Sequence, residues 1–307
     1  MNQKSFWYQV FDKKSRVAVQ NLTILLPQGE IVNGCVRCPY HGWSFDRQGT
    51  CVAVPQLKPE QSIPPSYQVR LYKCAERYGY VWACLRNEPL LPIPCIPEAD
   101  DATMQLIPQF YEPWQCSGLR LMENSFDNAH FSFVHANSFG DQQQPEPVSS
   151  EISSLEYGLQ VRATIPVVNP PMQRKNLSIE DEVTVRYVVS TWYMPFSRTL
   201  KVTYPNGLIH LIFTAATPVS DRTSQIIQFC IRNDIEADAQ AVALVAFDRQ
   251  VTQEDKAVLE TTDYDTPLYI NAEQRMPSDR PGIIMRRELA ALLKAHGEVE
   301  QRLEMLV

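Results

Sequence analysis

The stretch Glu123–His135, ENSFDNAHFSFVH, decides how the rest of the chain is read. It sets Asp127, His130 and His135 in a D-x2-H-x4-H spacing, in a chain whose only other histidines are His41, His210 and His296. Residues 117–136 lack proline and read as helical, at least in part, so Asp127 and His130 share a helix face. His135 lies five residues on, and a slight break in the helix lets both imidazoles face one point. Upstream, residues 31–85 read as short strands separated by Pro and Gly, with candidates at Val52–Val54, Tyr67–Tyr72 and Gly79–Leu85. Arg47–Thr50 reads as a hairpin turn, and the Pro-rich 87–100 as a connector. Downstream, 141–150 reads as a loop. Strand candidates follow at Val183–Val189, Thr199–Thr203, Leu208–Ala215 and Gln225–Arg232. Ala237–Thr262 and Ile283–Leu303 read as helices. A small β module, a helix, an antiparallel sheet and further helices make an α+β layout.

Imidazole is a common ligand for borderline metals. Two His with one remote carboxylate form the facial triad of non-haem Fe(II) oxygenases, which leaves coordination positions open. Taken alone, two histidines at this spacing are a weak signal that more often marks a helix end with two structural imidazoles. Composition narrows the classes. The 307 residues carry 28 Lys and Arg against 35 Asp and Glu, a net charge of −7, which argues against a nucleic-acid partner. No apolar run reaches the ~18–20 residues of a membrane span, and MNQKSFWYQVFDKKS lacks the apolar core of a signal peptide. The expectation is a soluble cytoplasmic protein of about two domains, without a membrane partner. Its eight cysteines are then reduced thiols, and Cys74, Cys84, Cys95, Cys116 and Cys230 read as small buried hydrophobes.

A second cluster raises the weight of the metal reading. Residues 35–43, CVRCPYHGW, hold Cys38 and His41 as C-x2-H followed by Gly42-Trp43. This resembles the second half of the Rieske iron–sulfur motif, and SFDRQGTCVAVPQ after it resembles the hairpin and strand that follow the ligand loop. With the histidine pair in the family's order, the chain resembles the α subunit of Rieske-type non-haem iron, aromatic ring-hydroxylating oxygenases from about Gly29 to the C-terminal helices. The resemblance implies a small all-β Rieske-like [2Fe–2S] domain over 1–95 and an antiparallel-sheet-plus-helix catalytic domain with mononuclear Fe(II) over 96–307. By the same resemblance, His130 and His135 are iron ligands. Asp127 links the iron to the Rieske centre of a neighbouring subunit, and Asn124 lies near the iron without binding it. The third ligand belongs on a late helix, in QVTQEDKAVLETTD, where Asp255 best matches the family's pattern. Asp248, on the same helix face seven residues away, Glu254 and Asp263 are the alternatives. His210 suits either the wall of a substrate cavity or a structural position on its strand, and His296 the surface. The implied partners are O2, a small aromatic or apolar substrate, and a ferredoxin or NAD(P)H reductase, in a homotrimer or mixed oligomer. The implied reaction is hydroxylation, dihydroxylation or demethylation.

The resemblance is broken in one place. A Rieske centre takes two Cys and two His. Counting back from Cys38 sets the first half, C-x-H, at Val19-Gln20-Asn21, and no Cys or His precedes Cys35. Ten residues separate Tyr8 from Val19, where the family sets several strands. The expectation is an incomplete Rieske module with an unpaired sheet edge, no normal [2Fe–2S] cluster and impaired electron supply. Cys35, Cys38, His41 and Cys51 would also offer four zinc ligands at an atypical spacing. The competing readings are a non-catalytic, decayed paralogue serving as a structural partner in a mixed oligomer, and a rearranged reading frame.

Overall fold

The computed structural model describes residues 7–12, 29–86, 88–146, 148–234, 238–264, 266–298 and 300. The missing first half-motif expected near Val19 therefore lies outside the described residues. The chain forms two compact units, one from residues up to Ile93 and one from Pro94 onward.

The N-terminal unit is built of two small antiparallel sheets. In one, β1 (Trp7–Asp12) and β6 (Lys73–Arg77) flank β7 (Tyr80–Cys84). The other runs β2 (Glu30–Val32), β3 (Cys35–Arg37), β4 (Ser44–Phe45) and β5 (Cys51–Ala53) in chain order. Asn33-Gly34 joins β2 to β3 with both residues at positive φ (51° and 77°), the two-residue turn that matches strand twist. The Arg47–Thr50 turn forms as expected, and the Asp46 carboxylate accepts from Gln48 N and Thr50 N at 2.9 Å each. Tyr67–Tyr72 is not a strand. It is tied at two points, Cys51 N to Tyr67 O and Val69 N to Gly49 O. These bonds make one isolated antiparallel bridge, Thr50 to Gln68, at the point where the Arg47–Thr50 turn enters β5. Cys38, Phe45 and Cys51 form one core cluster of this unit, with Trp43 and Tyr67 packed against it.

The larger unit is a seven-stranded antiparallel sheet in the order β8-β14-β13-β12-β11-β10-β9. Its strands are β8 (Gln105–Trp114), β9 (Ser150–Leu155), β10 (Gly158–Val168), β11 (Val183–Tyr193), β12 (Ser197–Thr203), β13 (Ile209–Pro218) and β14 (Ser224–Arg232). From β9 to β14 it is a meander, and β8 closes the far edge against β14. Pro108 and Pro113 hide β8 from a sequence reading, yet proline is tolerated on an edge strand, where one side needs no donor. Phe213 and Phe229 face each other across β13 and β14 with stacked rings 4.9 Å apart, both fully buried.

The helices are α1 (Gly118–Phe126), α2 (Phe131–Val134), α3 (Pro171–Leu177), α4 (Asp238–Leu259) and α5 (Arg280–Ala295). The apolar face of α4 meets the sheet through Leu244, packed with Ile107 and Cys230. The expected extension of the last helix to Leu303 does not hold. α5 stops at Ala295, where Gly297 adopts φ 68° and Gly297 N and Glu298 N return to Lys294 O and Leu293 O. Its Arg286 is fully buried and holds Glu123 of α1 (Nη2 to Oε2, 2.8 Å) and Glu273 (3.0 Å).

Two further cysteine expectations need correction. Cys74 and Cys95 are exposed, one on edge strand β6 and the other in the proline-rich connector, whereas Cys84, Cys116 and Cys230 are buried. Among the described residues, which include all eight cysteines, there is no disulfide.

Candidate metal centre and its pocket

The helix carrying the decisive stretch breaks where the two imidazoles need it to. Ser117 caps the start of α1, its hydroxyl accepting from Arg120 N. Asp127 ends the helix in an extended conformation (φ −84°, ψ 129°). The chain then turns, with Asp127 Oδ1 accepting from Ala129 N at 2.7 Å, and re-enters a helical conformation at His130. Asp127 and His130 are therefore not on one helical face. The turn, rather than i,i+3 spacing, brings Asp127 Oδ2 to 3.3 Å from His130 Nδ1. After α2, the carbonyl of His135 accepts from Ser138 N, Phe139 N and Gly140 N at 2.9, 3.1 and 2.8 Å. A side chain at Gly140 would run into the Phe131 carbonyl, so only glycine closes this turn.

His130 Nε2, His135 Nε2 and Asp255 Oδ1 form a nearly equilateral triangle. The sides are 3.3 Å between the two nitrogens, 3.5 Å from His130 to Asp255 and 3.3 Å from His135 to Asp255. The corners of such a triangle lie about 2.0 Å from its centre, the length of a bond from nitrogen or oxygen to a divalent transition metal. Each triangle member is oriented from outside. Glu254 Oε2 takes His135 Nδ1 at 2.9 Å and Ser138 Oγ at 2.8 Å, and Asn124 Nδ2 donates to Asp255 Oδ1 at 3.0 Å. Carboxylates on both Nδ1 atoms favour the tautomer whose Nε2 lone pair faces the triangle centre. Burial opposes charge on His130, but Asp127 and Asp255 outweigh it and lift its pKa to about 9. Burial likewise works to raise Asp255, and the two imidazoles reverse it, holding the carboxyl well below the usual range. The donors thus fit a divalent ion of the non-haem iron kind.

The other carboxylates expected near the triad are elsewhere. Asp248, about two turns back along the same face of α4, meets His210 Nε2 at 3.1 Å and accepts from Gln109. Asp263 follows α4, and its carbonyl accepts from Arg120. Glu254 is a partner of His135 and not a corner of the triangle. His296 closes α5 through its Nδ1, 3.1 Å from Leu292 O, and is partly covered rather than fully on the surface.

The pocket beside the triangle is a cavity of about 160 Å³ between α1, α2, α4 and one face of the sheet. Ala163, Val188, Leu200, Ile212, Phe131 and Phe247 make much of its wall. His210 lies on this wall, which joins the two roles considered for it. Two further lining residues, Arg186 and Arg198, were not singled out from sequence. The available signal was phase: Arg198 alternates with Leu200 and Val202 on β12, while Lys201 and Thr203 take the other face. Burial pushes the Arg198 guanidinium down to about 10, with Asp255 opposing the fall.

In the N-terminal unit, Cys38 is buried and His41 exposed on a tight loop. Gly42, at φ 75°, donates to Cys38 O at 3.0 Å, and Gln56 bridges His41 O and Trp43 Nε1 at 2.8 and 3.1 Å. Two His/Cys/carboxylate groupings of metal-binding size occur among the described residues, around His130 and around His210. The zinc alternative of Cys35, Cys38, His41 and Cys51 is therefore not assembled: Cys51 points into the core beside Phe45. With no Cys or His before Cys35, Cys38 and His41 are half of a Rieske donor set. The residues present do not fit that cluster.

A small antiparallel β module, a sheet-and-helix unit and a two-His, one-carboxylate triangle define a Rieske-type non-haem iron oxygenase α subunit. The Rieske [2Fe-2S] domain family matches residues 21–73. The chain belongs to the vanillate O-demethylase oxygenase C-terminal domain family, which matches residues 114–295. These are families of oxidoreductases with mononuclear iron and a [2Fe–2S] cluster. Methylxanthine N1-demethylase NdmA of Pseudomonas putida is 29% identical over 279 residues, covering 90% of this chain and 76% of the relative. Methylxanthine N3-demethylase NdmB of the same organism is 27% identical over 256 residues, covering 82% and 68%. The structure of NdmA with caffeine superposes with a TM-score of 0.75 at 26% identity, covering 94% of this chain and 80% of that one. Dicamba monooxygenase bound to 3,6-dichlorosalicylic acid shares the fold, with a TM-score of 0.81 at 19% identity over 96% and 98% of the chains. No helix among the described residues is long and apolar enough to cross a membrane.

Proposed function

We propose that this chain is an oxygenase subunit in which His130, His135 and Asp255 hold a mononuclear Fe(II). The adjacent pocket takes a small aromatic or apolar molecule for O2-dependent hydroxylation or demethylation. The observation that carries this reading is the convergence of three ligand atoms of the right kinds within 4.8 Å. The methylxanthine demethylases among its relatives support the same reaction class. When bound, the iron supplies activation of dioxygen at its open positions. The chain's own residues do the rest. Glu254 and Asp127 fix the imidazole tautomers, Asn124 holds the Asp255 carboxylate in line, and the apolar wall keeps water from the reacting centre. Asp127, outside the triangle and bonded to His130, is the proposed entry for electrons from a neighbouring subunit's Rieske centre. Those electrons come from a ferredoxin or NAD(P)H reductase, and because this chain's own residues do not fit the cluster, the neighbouring subunit is a cluster-bearing homologue in a mixed oligomer. The test is iron content. The purified chain holds roughly one iron of the triad type, His130→Ala and His135→Ala lose it, and Asp248→Asn keeps it. Iron indifferent to both histidine substitutions overturns the reading.

One observation favours a second reading, in which electron supply is impaired: the half donor set of Cys38 and His41. The chain then works, or merely assembles, beside an intact homologue that supplies the cluster. Co-purification with such a homologue, together with absence of acid-labile sulfide from the chain alone, supports this. Acid-labile sulfide and a Rieske-type EPR signal from the chain alone refute it.

A further inference from the structure

Away from the triangle, a second set of ligand-bearing side chains converges where α4 crosses the sheet. His210 and Ile212 alternate on β13 and so share one of its faces. Ile212 stands directly opposite Cys230 of β14, which sets His210 and Cys230 diagonally on one face of the sheet. Leu244 of α4 packs against Cys230 and Ile107, and Asp248 follows one turn later on the same side of the helix. The His210, Cys230 and Asp248 ligand atoms consequently lie within 4.8 Å of one another. His210 and Asp248 are each 6% exposed, and Cys230 is fully buried.

The contact between His210 and Asp248 is not an ordinary hydrogen bond. Asp248 Oδ2 stands 3.1 Å from His210 Nε2, yet that nitrogen, shut off from solvent, has no aligned hydrogen-bond partner among the described residues. Two corners of a tetrahedral metal site stand in this relation, since bonds of about 2.0 Å give edges of about 3.3 Å. The carboxylate is also held from behind. Gln109 Nε2 donates to Asp248 Oδ2, and Gln109 Oε1 accepts from Gln228 Nε2 at 2.7 Å. Gln228 Oε1 accepts in turn from Thr214 Oγ1 at 3.0 Å. Such support fixes a ligating carboxylate. Burial pushes the Cys230 thiol up, and Asp248 beside it acts the same way. A coordinated dication reverses both and takes the sulfur as thiolate.

We propose that His210, Cys230 and Asp248 form a second metal site, for a zinc ion that fastens α4 to strands β13 and β14. One thiolate, one imidazole and one carboxylate suit borderline-soft Zn2+, whereas the triangle offers only nitrogen and oxygen. His210 and Asp248 line the cavity, so water from that side supplies the fourth ligand. Binding releases the Cys230 thiol proton to solvent. Asp255 lies seven residues on, roughly 10 Å along the helix axis. Zinc here steadies the helix that carries Asp255 and is a site separate from the triangle.

The test uses the full chain, stripped by chelator without oxygen and titrated with Co2+. The near-ultraviolet thiolate-to-cobalt absorption reports cysteine ligation alone, so cobalt in the triangle is silent there. The expected absorption saturates at about one cobalt per chain and disappears when Zn2+ displaces the cobalt. It persists in His130→Ala, which breaks the triangle, and in Cys38→Ser, and it is lost in Cys230→Ser. Asp248→Asn weakens this binding by more than the ~10-fold that loss of a supporting hydrogen bond costs. Zn2+ also raises the urea midpoint of His130→Ala, because it binds only the folded chain. Absence of the thiolate absorption from the unsubstituted chain overturns the proposal, whether or not Cys230→Ser folds. So does absorption that survives Cys230→Ser, or that is lost in His130→Ala while that chain remains folded.

Discussion

Glu254 shows how much of a metal centre is set by residues that do not touch the ion. Its carboxylate takes His135 Nδ1 and Ser138 Oγ, so Glu254→Gln weakens the tautomer preference and the basicity of the opposite nitrogen. A loss of about 10–100-fold in iron affinity is expected, measured by chelator competition, with little change in thermal stability. At Gly140 the expectation is the reverse. The Phe131 carbonyl occupies the space a Cβ needs, so Gly140→Ala costs about 1–3 kcal/mol in urea denaturation. Its effect on iron follows from displacement of His135.

The element that matters most is the interrupted helix α1–α2. Its interruption depends on the Asp127 side chain accepting from Ala129 N. Asp127→Ala removes that bond and is expected to cost about 0.5–2 kcal/mol, as loss of a helix cap does. Asp127→Asn keeps an acceptor oxygen and restores the stability while still removing the charge beside His130. A stability difference between the two variants, read by denaturation, separates the turn from the electrostatics. The sequence made the histidine pair, its spacing and the need for a break legible, because those depend on local order. It pointed to Asp255 through the family's pattern. It did not exclude Asp248, which lies on the same face of α4. Only the sheet decides between them, by offering His210 and Gln109 to one carboxylate and leaving the other to the imidazoles.

On the scale of the whole molecule, α5 is locked to α1 by a charge cluster of Arg286, Glu123, Glu273 and Arg120. Arg286 is fully buried, so Arg286→Met removes the cation that Glu123 and Glu273 share with Arg120 and Arg275 and leaves the Pro267 carbonyl without its donor, at an expected cost of about 1–3 kcal/mol, seen as a lowered urea midpoint. Glu273 gives the cluster a pH signature. Burial would raise its carboxyl, but Arg120, with Arg286 and Arg275, holds it below the usual range. A depressed folded value makes its contribution complete above the unfolded value of about 4.3, and the contribution is lost as the pH falls through the folded value. The stability drop between about pH 6 and about pH 3.5 should be smaller in Glu273→Gln than in the unsubstituted chain; an equal drop means the residue contributes nothing.

By itself the sequence determined the α+β layout, the two histidines of the triangle and the half-motif Cys38-x2-His41. Hydrophobic alternation and ligand spacing are written in local order, and an absent Cys or His is visible without any fold. The tertiary structure alone decided which carboxylate joins the histidines and that β8 closes the sheet despite its prolines. It also decided that Arg186 and Arg198 face the cavity, with no hydrogen-bond acceptor on either Nε among the described residues. Each of these depends on which distant segments share a face, and the pairing of strands and the docking of α4 on the sheet fix that only when the whole chain has folded.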